Sequence, residues 1–399
     1  MNTRFKAPLT LVMLSCSVMC ADLSLAVEDA PFGVTRAKDA PIIQAGPVEI
    51  HPYLSLLETY SDNIYLVPTN RKHDFITTIS PGLQFKMPIR RHALFLTGNA
   101  TINQYAKHSS ENNIDWNVSA AGDFNFGSRI NLKLSDRYLD AHEPRSQSSL
   151  STMEKYSNNN AAASLSYILA DISMLQLDYS SDLWKYTASD FRSRNENAVS
   201  AYVFYRVMPK TSLFAEYDFK NVYFTTKPAG SAVLDNNVHS GLLGVTWELS
   251  ERSKGTVKAG YLHKIFDDTA QKSFGTFAAS LDISHNFNDY NSVKLIGART
   301  VNESSLVGSN YSVSTGVTGE ATHKFNDRVS TTLKVSFNDE SFSNSTRSDQ
   351  VVLGGVKIAY AFRRWLETSV EYYWRQKNSN DNAYDSTENN VAVAFKAYF

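Results

Sequence analysis

From residue 49 to the end of the chain, apolar and polar residues alternate, and turns interrupt the alternation at regular intervals. In the run over residues 115–126, most even positions are apolar and most odd positions are Asp, Asn or Ser. Side chains of a β-strand point alternately to opposite faces, so such a run has one apolar and one polar face. The chain is therefore predicted to be all-β, with its strands lying between two different surroundings.

Two kinds of connection separate the runs and alternate along the chain. Short turns recur about every 39 residues, near positions 89, 127, 170, 209, 251, 288, 326 and 363. Longer polar stretches lie between them, at residues 141–154, 187–194, 225–235 and 378–386 among others. A β-propeller has a similar period but needs four short strands in each repeat. Here each repeat holds only two long runs, which indicates a series of hairpins.

Nine such repeats fill residues 49–399 and predict 18 strands, or 16 if one hairpin is miscounted. Each run exceeds the roughly 9–11 residues that a tilted membrane strand needs. An even strand number, with short turns at one end and longer loops at the other, is typical of bacterial outer-membrane barrels. The predicted fold is an antiparallel up-and-down transmembrane β-barrel over residues 49–399, with the surrounding outer-membrane lipid as its first partner.

The last strand and the aromatic residues agree with this fold. Phe395 and the terminal Phe399 share one face, and this ending resembles the C-terminal signal by which the barrel-assembly machinery recognises outer-membrane barrels. That machinery is therefore an expected partner. Aromatic residues also lie beside the short turns, where an interfacial girdle is expected. They are Phe126, Trp247, Phe287, Tyr290, Phe325, Phe362 and Trp365.

The N-terminal segment predicts export from the cytoplasm. A basic start, an apolar stretch over residues 7–19 and small residues at positions 24 and 26 are the layout of a signal peptide, residues 1–26. Both cysteines, Cys16 and Cys20, fall within it, so no disulfide is expected in the mature chain. Residues 27–48 contain three prolines and are predicted as an irregular periplasmic N-terminal extension, or alternatively as a small plug in the lumen.

Composition excludes two other classes of protein. The formal net charge of −1 argues against a nucleic-acid binder, which needs a basic surplus. A negative mean hydropathy excludes a bundle of membrane helices. The 22 Phe, 21 Tyr and 5 Trp favour strands.

The polar face of the predicted barrel is expected to line a wet lumen, because a charge facing lipid at the midplane costs about 2–4 kcal/mol. Its charged residues are Asp115, Asp123, Lys133, Arg137, Asp178, Glu216, Asp218, Lys258, Asp282, Lys334, Lys357, Glu367, Glu371, Arg375 and Lys396. Asp136 and Arg299 fall on the apolar face instead. Each is expected either to lie near the rim or to mark a β-bulge that shifts the alternation.

No motif for catalysis, a cofactor or a metal stands out. The nine histidines are scattered without an HExxH spacing, and no GxSxG elbow or phosphate-binding glycine loop occurs. A Ser–His pair formed across strands, as in an outer-membrane phospholipase, is the one enzymatic alternative. The Asn-rich stretches at residues 157–160 and 378–382 are interpreted as solvated loop ends. The chain is predicted not to be an enzyme.

The first hairpin carries a family resemblance. It reads Pro-x-Leu at 52–54, Tyr-x-Asp-Asn at 60–63, Asp-Phe-Ile at 74–76 and Ser-Pro-Gly at 80–82. This opening resembles that of the Putative beta-barrel porin 2 family of Gram-negative outer-membrane proteins. The shared residues Tyr60, Asp62, Asn63, Asp74, Ser80, Pro81 and Gly82 either shape the first hairpin or serve the function directly.

The resemblance implies a role in capsule or exopolysaccharide systems, because the family is often associated with them. The leading hypothesis is an outer-membrane pore that assists polysaccharide export or surface assembly, with the polysaccharide and its export proteins as partners. A general small-solute porin is the second hypothesis. The third is a surface anchor or adhesin whose barrel is blocked.

Overall fold

The computed structural model describes residues 42–399 apart from residues 144, 146–152, 228–232 and 251. The predicted signal peptide, both cysteines, and residues 27–41 of the predicted extension lie outside the described residues. The described ranges form 19 strands. They are β1 (Ile43–Ala45), β2 (Val48–Ser61), β3 (Asp74–Ile89), β4 (His92–Tyr105), β5 (Asn113–Phe126), β6 (Ile130–Glu143), β7 (Glu154–Ala170), β8 (Ser173–Tyr186), β9 (Arg194–Met208), β10 (Thr211–Phe224), β11 (Asn236–Ser250), β12 (Ser253–Phe266), β13 (Phe274–Asn286), β14 (Asn291–Glu303), β15 (Tyr311–Lys324), β16 (Val329–Phe342), β17 (Ser348–Arg363), β18 (Leu366–Ser379) and β19 (Ser386–Tyr398).

Strands β2–β19 form a single antiparallel sheet in which each strand pairs with its neighbours in the chain. The sheet closes on itself because β19 pairs with β2, from Asn390 opposite Ser61 to Tyr398 opposite Tyr53. Without the three-residue β1 the barrel has 18 strands, which confirms the predicted fold class and the larger of the two strand counts. No helix in the described ranges is long and apolar enough to cross a membrane.

The two ends of the barrel differ in their connections. Turns of two to four residues join the strands at one end, which we call the turn end. Connections of five to twelve residues join them at the other end, the loop end. The eight predicted turns all coincide with turn-end connections, although Glu251 itself is outside the described residues. The predicted loop at residues 225–235 coincides with the connection between β10 and β11. Those at 141–154, 187–194 and 378–386 are shorter than expected, because strands β6, β7, β9, β18 and β19 continue into them.

The described part of the predicted N-terminal extension forms a strand. β1 pairs with the first residues of β2, from Ile43 opposite Ile50 to Ala45 opposite Val48. The turn between them contains Gly46 at a φ of +60°, a backbone conformation that glycine adopts without steric cost. This small hairpin lies at the turn end, where β2 starts at Val48, one residue before the predicted start of the barrel.

Aromatic side chains surround the turn end. Six of the seven predicted girdle residues are 44–61% exposed: Phe126, Phe287, Tyr290, Phe325, Phe362 and Trp365. Trp247 differs because its half-buried ring covers Gly255, where a Cβ atom would lie 2.5 Å from the Trp247 ring. An exposed aromatic ring suits an interface between lipid and water, since its body is apolar and its edge tolerates water.

Candidate functional site

Burial divides the strand residues into two faces. On β9, Val199 and Val203 are 41% and 55% exposed, whereas Ser200 and Tyr202 between them are 4% and 3% exposed. Side chains on the inside of a closed barrel converge and shield one another, while those outside point apart. The exposed apolar face is therefore the outer one, and the polar face points into the barrel.

The interior is filled unevenly. On β8, β10 and β12, inward side chains such as Asp178, Glu216 and Lys258 are only 2–6% exposed. On β5, by contrast, the inward Asp115 and Asn117 are only half-buried. Free space in the barrel therefore lies beside β4–β6, and packed side chains fill the part beside β8–β12.

The packed side contains a group of buried charges that we call the charged wall, namely Arg194, Glu196, Glu216, Lys220 and Lys258. Lys258 Nζ lies 2.6 and 2.8 Å from the two carboxylate oxygens of Glu216, and the ion pair bridges from β12 across β11 to β10. Glu196 accepts hydrogen bonds from Arg194 Nε at 2.7 Å and from Lys220 Nζ at 3.0 Å. Paired in this way, the buried charges avoid the high cost of an uncompensated ion.

Amide side chains line the open side, and we call them the asparagine ladder: Asn99, Asn103, Asn113, Asn117, Asn125 and Asn131. They form hydrogen-bonded pairs between neighbouring strands. Asn103 Nδ2 donates to Asn113 Oδ1 at 2.9 Å, and Asn117 Nδ2 donates to Asn99 Oδ1 at 3.2 Å. Near the turn end Asn131 Nδ2 donates to Asn125 Oδ1 at 3.0 Å. All six are half-buried, so the ladder runs from loop end to turn end beside the free space.

The pairing of β13 with β14 stops halfway along the barrel. It runs from Asn286 opposite Ser292 to Ala279 opposite Arg299, although β13 continues to Phe274 and β14 to Glu303. Both strands remain paired with their other neighbours over these lengths. The loop-end half of the wall is therefore interrupted between β13 and β14.

Beyond this break, β14 and β15 turn into the barrel, and we call residues 300–314 the inner hairpin. Lys264 on β12 forms an ion pair with Glu303 on β14, although β13 lies between these two strands in the wall. The ring of Tyr311 stacks on that of Phe274, with 4.5 Å between ring centroids. Val301 and Val313 join an apolar cluster with the inward residues Val238, Leu242, Leu262 and Ala278.

The burial of β15 residues also shows that the inner hairpin lies inside the barrel. Ser312, Val313 and Ser314 are consecutive and all at most 8% exposed, so both faces of this part of β15 are covered. A strand within the barrel wall would leave one face exposed to its surroundings. The tip of the hairpin is held as well, since the backbone N–H groups of Asn310 and Tyr311 both donate to Ser343 Oγ at 2.9 Å. The inner hairpin therefore narrows the barrel at the loop end.

Further ion pairs tie the loop end together. Both terminal nitrogens of Arg192 donate to the carboxylate of Glu143 at 2.8 Å. Asp349 is contacted by Lys377 Nζ at 2.9 Å and by Arg347, whose guanidinium lies 3.5 Å from the ring centroid of Tyr384.

Most of the fifteen charged residues predicted to line the lumen are buried or half-buried. Asp178, Glu216, Asp218, Lys258, Lys357, Glu371, Arg375 and Lys396 are buried; Asp115, Asp123, Lys133, Asp282, Lys334 and Glu367 are half-buried; Arg137 is exposed. The structure brings some of them together as pairs. Besides Glu216–Lys258, Lys357 Nζ lies 3.3 Å from Glu371 Oε1.

The two charged residues on the apolar face do not mark bulges. Asp136 keeps its register with both neighbouring strands and accepts a hydrogen bond from Asn159 Nδ2 at 2.8 Å. Arg299 keeps its register with β15 and occupies the last paired position before the break. Its Nη1 donates to Thr315 Oγ1 at 2.7 Å, and its Nη2 lies 3.5 Å from Thr276 Oγ1.

Two residues of the first-hairpin motif, Asp62 and Asn63, close the barrel, and a third, Gly82, packs against β2. Asp62 accepts hydrogen bonds from the backbone N–H and the Nδ2 of Asn389, both at 2.8 Å. Asn63 is fully buried, and its Nδ2 donates to the carbonyls of Val67 at 2.9 Å and Thr387 at 3.0 Å. Gly82 allows the Tyr53 ring to lie against it, because a Cβ there would be 2.0 Å from that ring. The motif therefore links β2 to β19 at the loop end.

The other motif residues and the terminal aromatics have local contacts. Asp74 is fully buried and accepts hydrogen bonds from the backbone of Lys107 and His108 and from His108 Nδ1 at 2.8 Å. Tyr60, Ser80 and Pro81 lie on the seam strand β2 and its partner β3. Phe395 is 48% exposed, and the backbone N–H of Phe399 donates to the carbonyl of Pro52 at 2.9 Å.

Several charged interior residues are not among those predicted from the sequence. Arg194, Glu196, Lys220, Lys264 and Lys377 lie on the inward face of their strands. Lys220 and Lys264 differ by even numbers from the predicted Glu216 and Lys258, so extending the same alternation to the strand ends would have found them. No local signal marks Glu303, because its position in the alternation is that of an outward residue.

Among the residues that the structure describes, no three His, Cys, Asp or Glu side chains come together as a metal site requires. A family model described as Putative beta-barrel porin 2 matches residues 39–399. No curated protein matches the chain.

Solved structures of several porins are similar to the chain. OccAB4 from Acinetobacter baumannii is 13% identical with a TM-score of 0.48, and the match covers 89% of this chain and 99% of that one. The outer membrane protein OpdK from Pseudomonas aeruginosa is 10% identical with a TM-score of 0.48, over 88% and 99% of the two chains. A BenF-like porin from Pseudomonas fluorescens Pf-5 is 9% identical with a TM-score of 0.48, over 88% and 99%.

Proposed function

Because this chain belongs to the Putative beta-barrel porin 2 family, we propose that it forms an outer-membrane channel for a saccharide chain during polysaccharide export or surface assembly. In this proposal the turn end faces the periplasm and the loop end faces the cell surface, as short periplasmic turns and longer outer loops are the rule in such barrels. The apolar outer face lies in lipid, and the fifteen charged residues named above line the lumen.

The asparagine ladder is the observation that carries the proposal. A neutral sugar is rich in hydroxyl groups, and each primary amide offers both hydrogen-bond donors and an acceptor. The ladder repeats such groups from one end of the barrel to the other beside the free space. A hydroxylated cargo can therefore exchange one set of hydrogen bonds for the next without binding tightly at any position.

The charged wall also favours a neutral sugar as the cargo, because its charges neutralise one another. Glu216 is paired with Lys258, and Glu196 is paired with Arg194 and Lys220. A charged solute needs unpaired countercharges in the lumen, and these pairs already satisfy one another. The wall thus gives the channel shape and rigidity, while the ladder supplies its contacts with the cargo.

Removal of ladder amides is expected to weaken saccharide binding in the pore. The test adds a neutral maltooligosaccharide to the bilayer chamber and records how long each molecule blocks the ionic current. In the double variant Asn103→Ala, Asn117→Ala each block should be roughly tenfold shorter than in the native channel, because two hydrogen bonds of about 0.5–1.5 kcal/mol each are lost. Single-channel recording of the purified barrel measures the duration of each block.

The outer face provides a matched control. Asn221 Nδ2 donates to Asn237 Oδ1 at 3.0 Å, so this is also a cross-strand asparagine pair, but it lies on the outward face. Asn221→Ala with Asn237→Ala should leave the duration of the blocks unchanged. Equal effects of the two double variants, or no blocking of the native channel by sugars, would contradict the role of the ladder.

A deletion strain separates export from the other functions. The proposal expects a loss of secreted or surface polysaccharide, restored by the native gene but less well by the Asn103→Ala, Asn117→Ala variant. Normal polymer yield together with steady conductance would instead identify a general small-solute porin. Normal yield without conductance would favour a surface anchor with a blocked barrel.

A further inference from the structure

The outer face of the barrel has a pocket of about 680 Å³ at the loop end, formed by strands β4–β6 and the start of β7. Trp116 and Tyr138 line it, and they are 52% and 46% exposed. Trp116 lies opposite Asp140 on this face and alternates with the inward Asn117. Small-molecule sites have volumes of roughly 300–1,000 Å³. The pocket is therefore large enough for such a ligand, and it opens toward the surrounding lipid.

The lining of this pocket changes from apolar to polar toward the loop end. Gln104 and Asn112 flank the connection between β4 and β5, and Lys155 is the second residue of β7. Trp116 and Tyr138 lie further along β5 and β6 toward the turn end. With the loop end at the cell surface, the apolar part of the pocket is deeper in the membrane than the polar part. An amphiphile of the outer leaflet has the same orientation.

The charges beside the pocket are paired with one another. Lys155 Nζ lies 2.9 Å from Asp140 Oδ1, and His142 Nδ1 lies 2.7 Å from Asp115 Oδ1. A phosphate headgroup would have to compete with Asp140 for Lys155. The exposed amide of Gln104 instead offers hydrogen-bond donors and an acceptor, which suit hydroxyl groups. The polar part of the pocket therefore favours a neutral sugar over a phosphate.

We propose that this pocket binds a glycolipid of the outer leaflet. Its sugar lies against Trp116 and contacts the amides of Gln104 and Asn112, and its acyl chain runs along Tyr138 toward the midplane. One face of a pyranose ring carries mainly C–H groups, which suit the negative face of an indole ring. The proposal relies on the membrane placement proposed above, but it is independent of the saccharide cargo in the lumen.

The test uses n-dodecyl maltoside as a glycolipid probe. It is added to the purified barrel in a sugar-free detergent, and native mass spectrometry measures the bound fraction. Trp116→Leu should lower the affinity roughly three- to tenfold, since the aromatic platform is lost. Both this variant and its control keep an apolar side chain in the lipid, so migration as a folded barrel in unheated gels should be unchanged.

Trp374→Leu is the matched control. Trp374 is also a tryptophan on the outer face at the loop end, where it lies opposite Asn389, but it belongs to β18. The control should bind the maltoside as the native barrel does. Equal losses in Trp116→Leu and Trp374→Leu would show that the aromatic belt acts only by its general affinity for amphiphiles, and this result would overturn the proposal.

Two further probes examine the head and the tail of the ligand. Dodecylphosphocholine has the same chain with a phosphate head, so it should bind more weakly, and Gln104→Ala should weaken only the maltoside, about threefold. Equal affinity for the two amphiphiles would overturn the proposal, because the pocket would not recognise the sugar.

Maltose separates the pocket from the lumen, because it has the sugar but no chain. An equal concentration of maltose should not displace the maltoside. Displacement by maltose, with no effect of Trp116→Leu, would place the maltoside inside the channel. That result would overturn the glycolipid site and leave the saccharide channel standing. Normal polymer yield in the deletion strain would have the opposite consequence, since it contradicts export without affecting binding at Trp116.

Discussion

Release of the inner hairpin is expected to raise the conductance of the barrel roughly two- to fourfold, because an 18-strand barrel leaves an aqueous channel wherever chain segments do not fill it. Glu303→Ala with Tyr311→Ala removes the ion pair to Lys264 and the stacking on Phe274, two of the contacts that hold the hairpin across the interior. Single-channel recording in planar bilayers measures the change. The variant should remain a folded barrel, since the seam between β2 and β19 is untouched.

Two controls make this result specific. Glu320→Ala with Lys334→Ala removes an inward ion pair of 3.6 Å between β15 and β16, outside the hairpin, and should leave the conductance close to native. Lys264→Cys with Glu303→Cys, joined by a short bifunctional thiol reagent, should hold the conductance near the native level. A native conductance in the Glu303→Ala, Tyr311→Ala variant would show that the hairpin does not limit the pore.

Loss of the seam contacts is expected to destabilise the closed barrel. Asn63→Ala removes the Nδ2 donations to Val67 and Thr387 and the acceptor for the Val67 N–H, and leaves partly buried backbone groups unpaired. The free energy of unfolding should fall by about 2–4 kcal/mol, since each unpaired buried group costs about 1–3 kcal/mol. Urea unfolding in detergent micelles measures this loss. The double variant Asn63→Ala, Asp62→Ala should also show a smaller fraction of protein that migrates as a folded barrel in unheated gels.

An asparagine of the turn end provides the comparison. Asn288 Oδ1 accepts hydrogen bonds from the backbone N–H groups of Tyr290 and Asn291, so it shapes a turn but contacts no seam strand. Asn288→Ala should cost less than Asn63→Ala, because its partners are exposed and water can replace the lost acceptor. Equal costs for the two variants would argue that Asn63 only shapes its own loop.

The strand count and the turns can be predicted from the sequence because one face of each strand meets an apolar environment and the other a polar one. Apolar and polar residues therefore alternate along each strand. The failures occur where a polar residue suits more than one place. The sequence predicts a solvated loop end at residues 157–160, but they lie within β7, where Asn158 is 4% exposed and contacts Asp182. Inside a polar lumen an asparagine run is as acceptable as in a loop, so composition alone does not separate the two.

The inner hairpin was beyond prediction for a different physical reason. Alternation identifies the two faces of a strand, but it does not say what lies against each face. Val301 and Glu303 alternate as residues of an ordinary wall strand would, yet both contact the interior. The one sequence signal was Arg299, whose charge did not fit the apolar face. It occupies the last paired position before the break.

The closing contacts of this barrel are confined to the two ends of the chain. Asp62 and Asn63 belong to the first hairpin, and their partners Asn389 and Thr387 belong to the last strand. Phe399, which contacts Pro52, directly follows that strand. Every strand between them pairs only with its sequence neighbours. A duplicated or deleted hairpin in the middle of the chain would therefore change the barrel by two strands without altering the contacts between β2 and β19 that close it. By such steps one ancestor can give rise to barrels of different width that are all closed by the same contacts between their first hairpin and last strand.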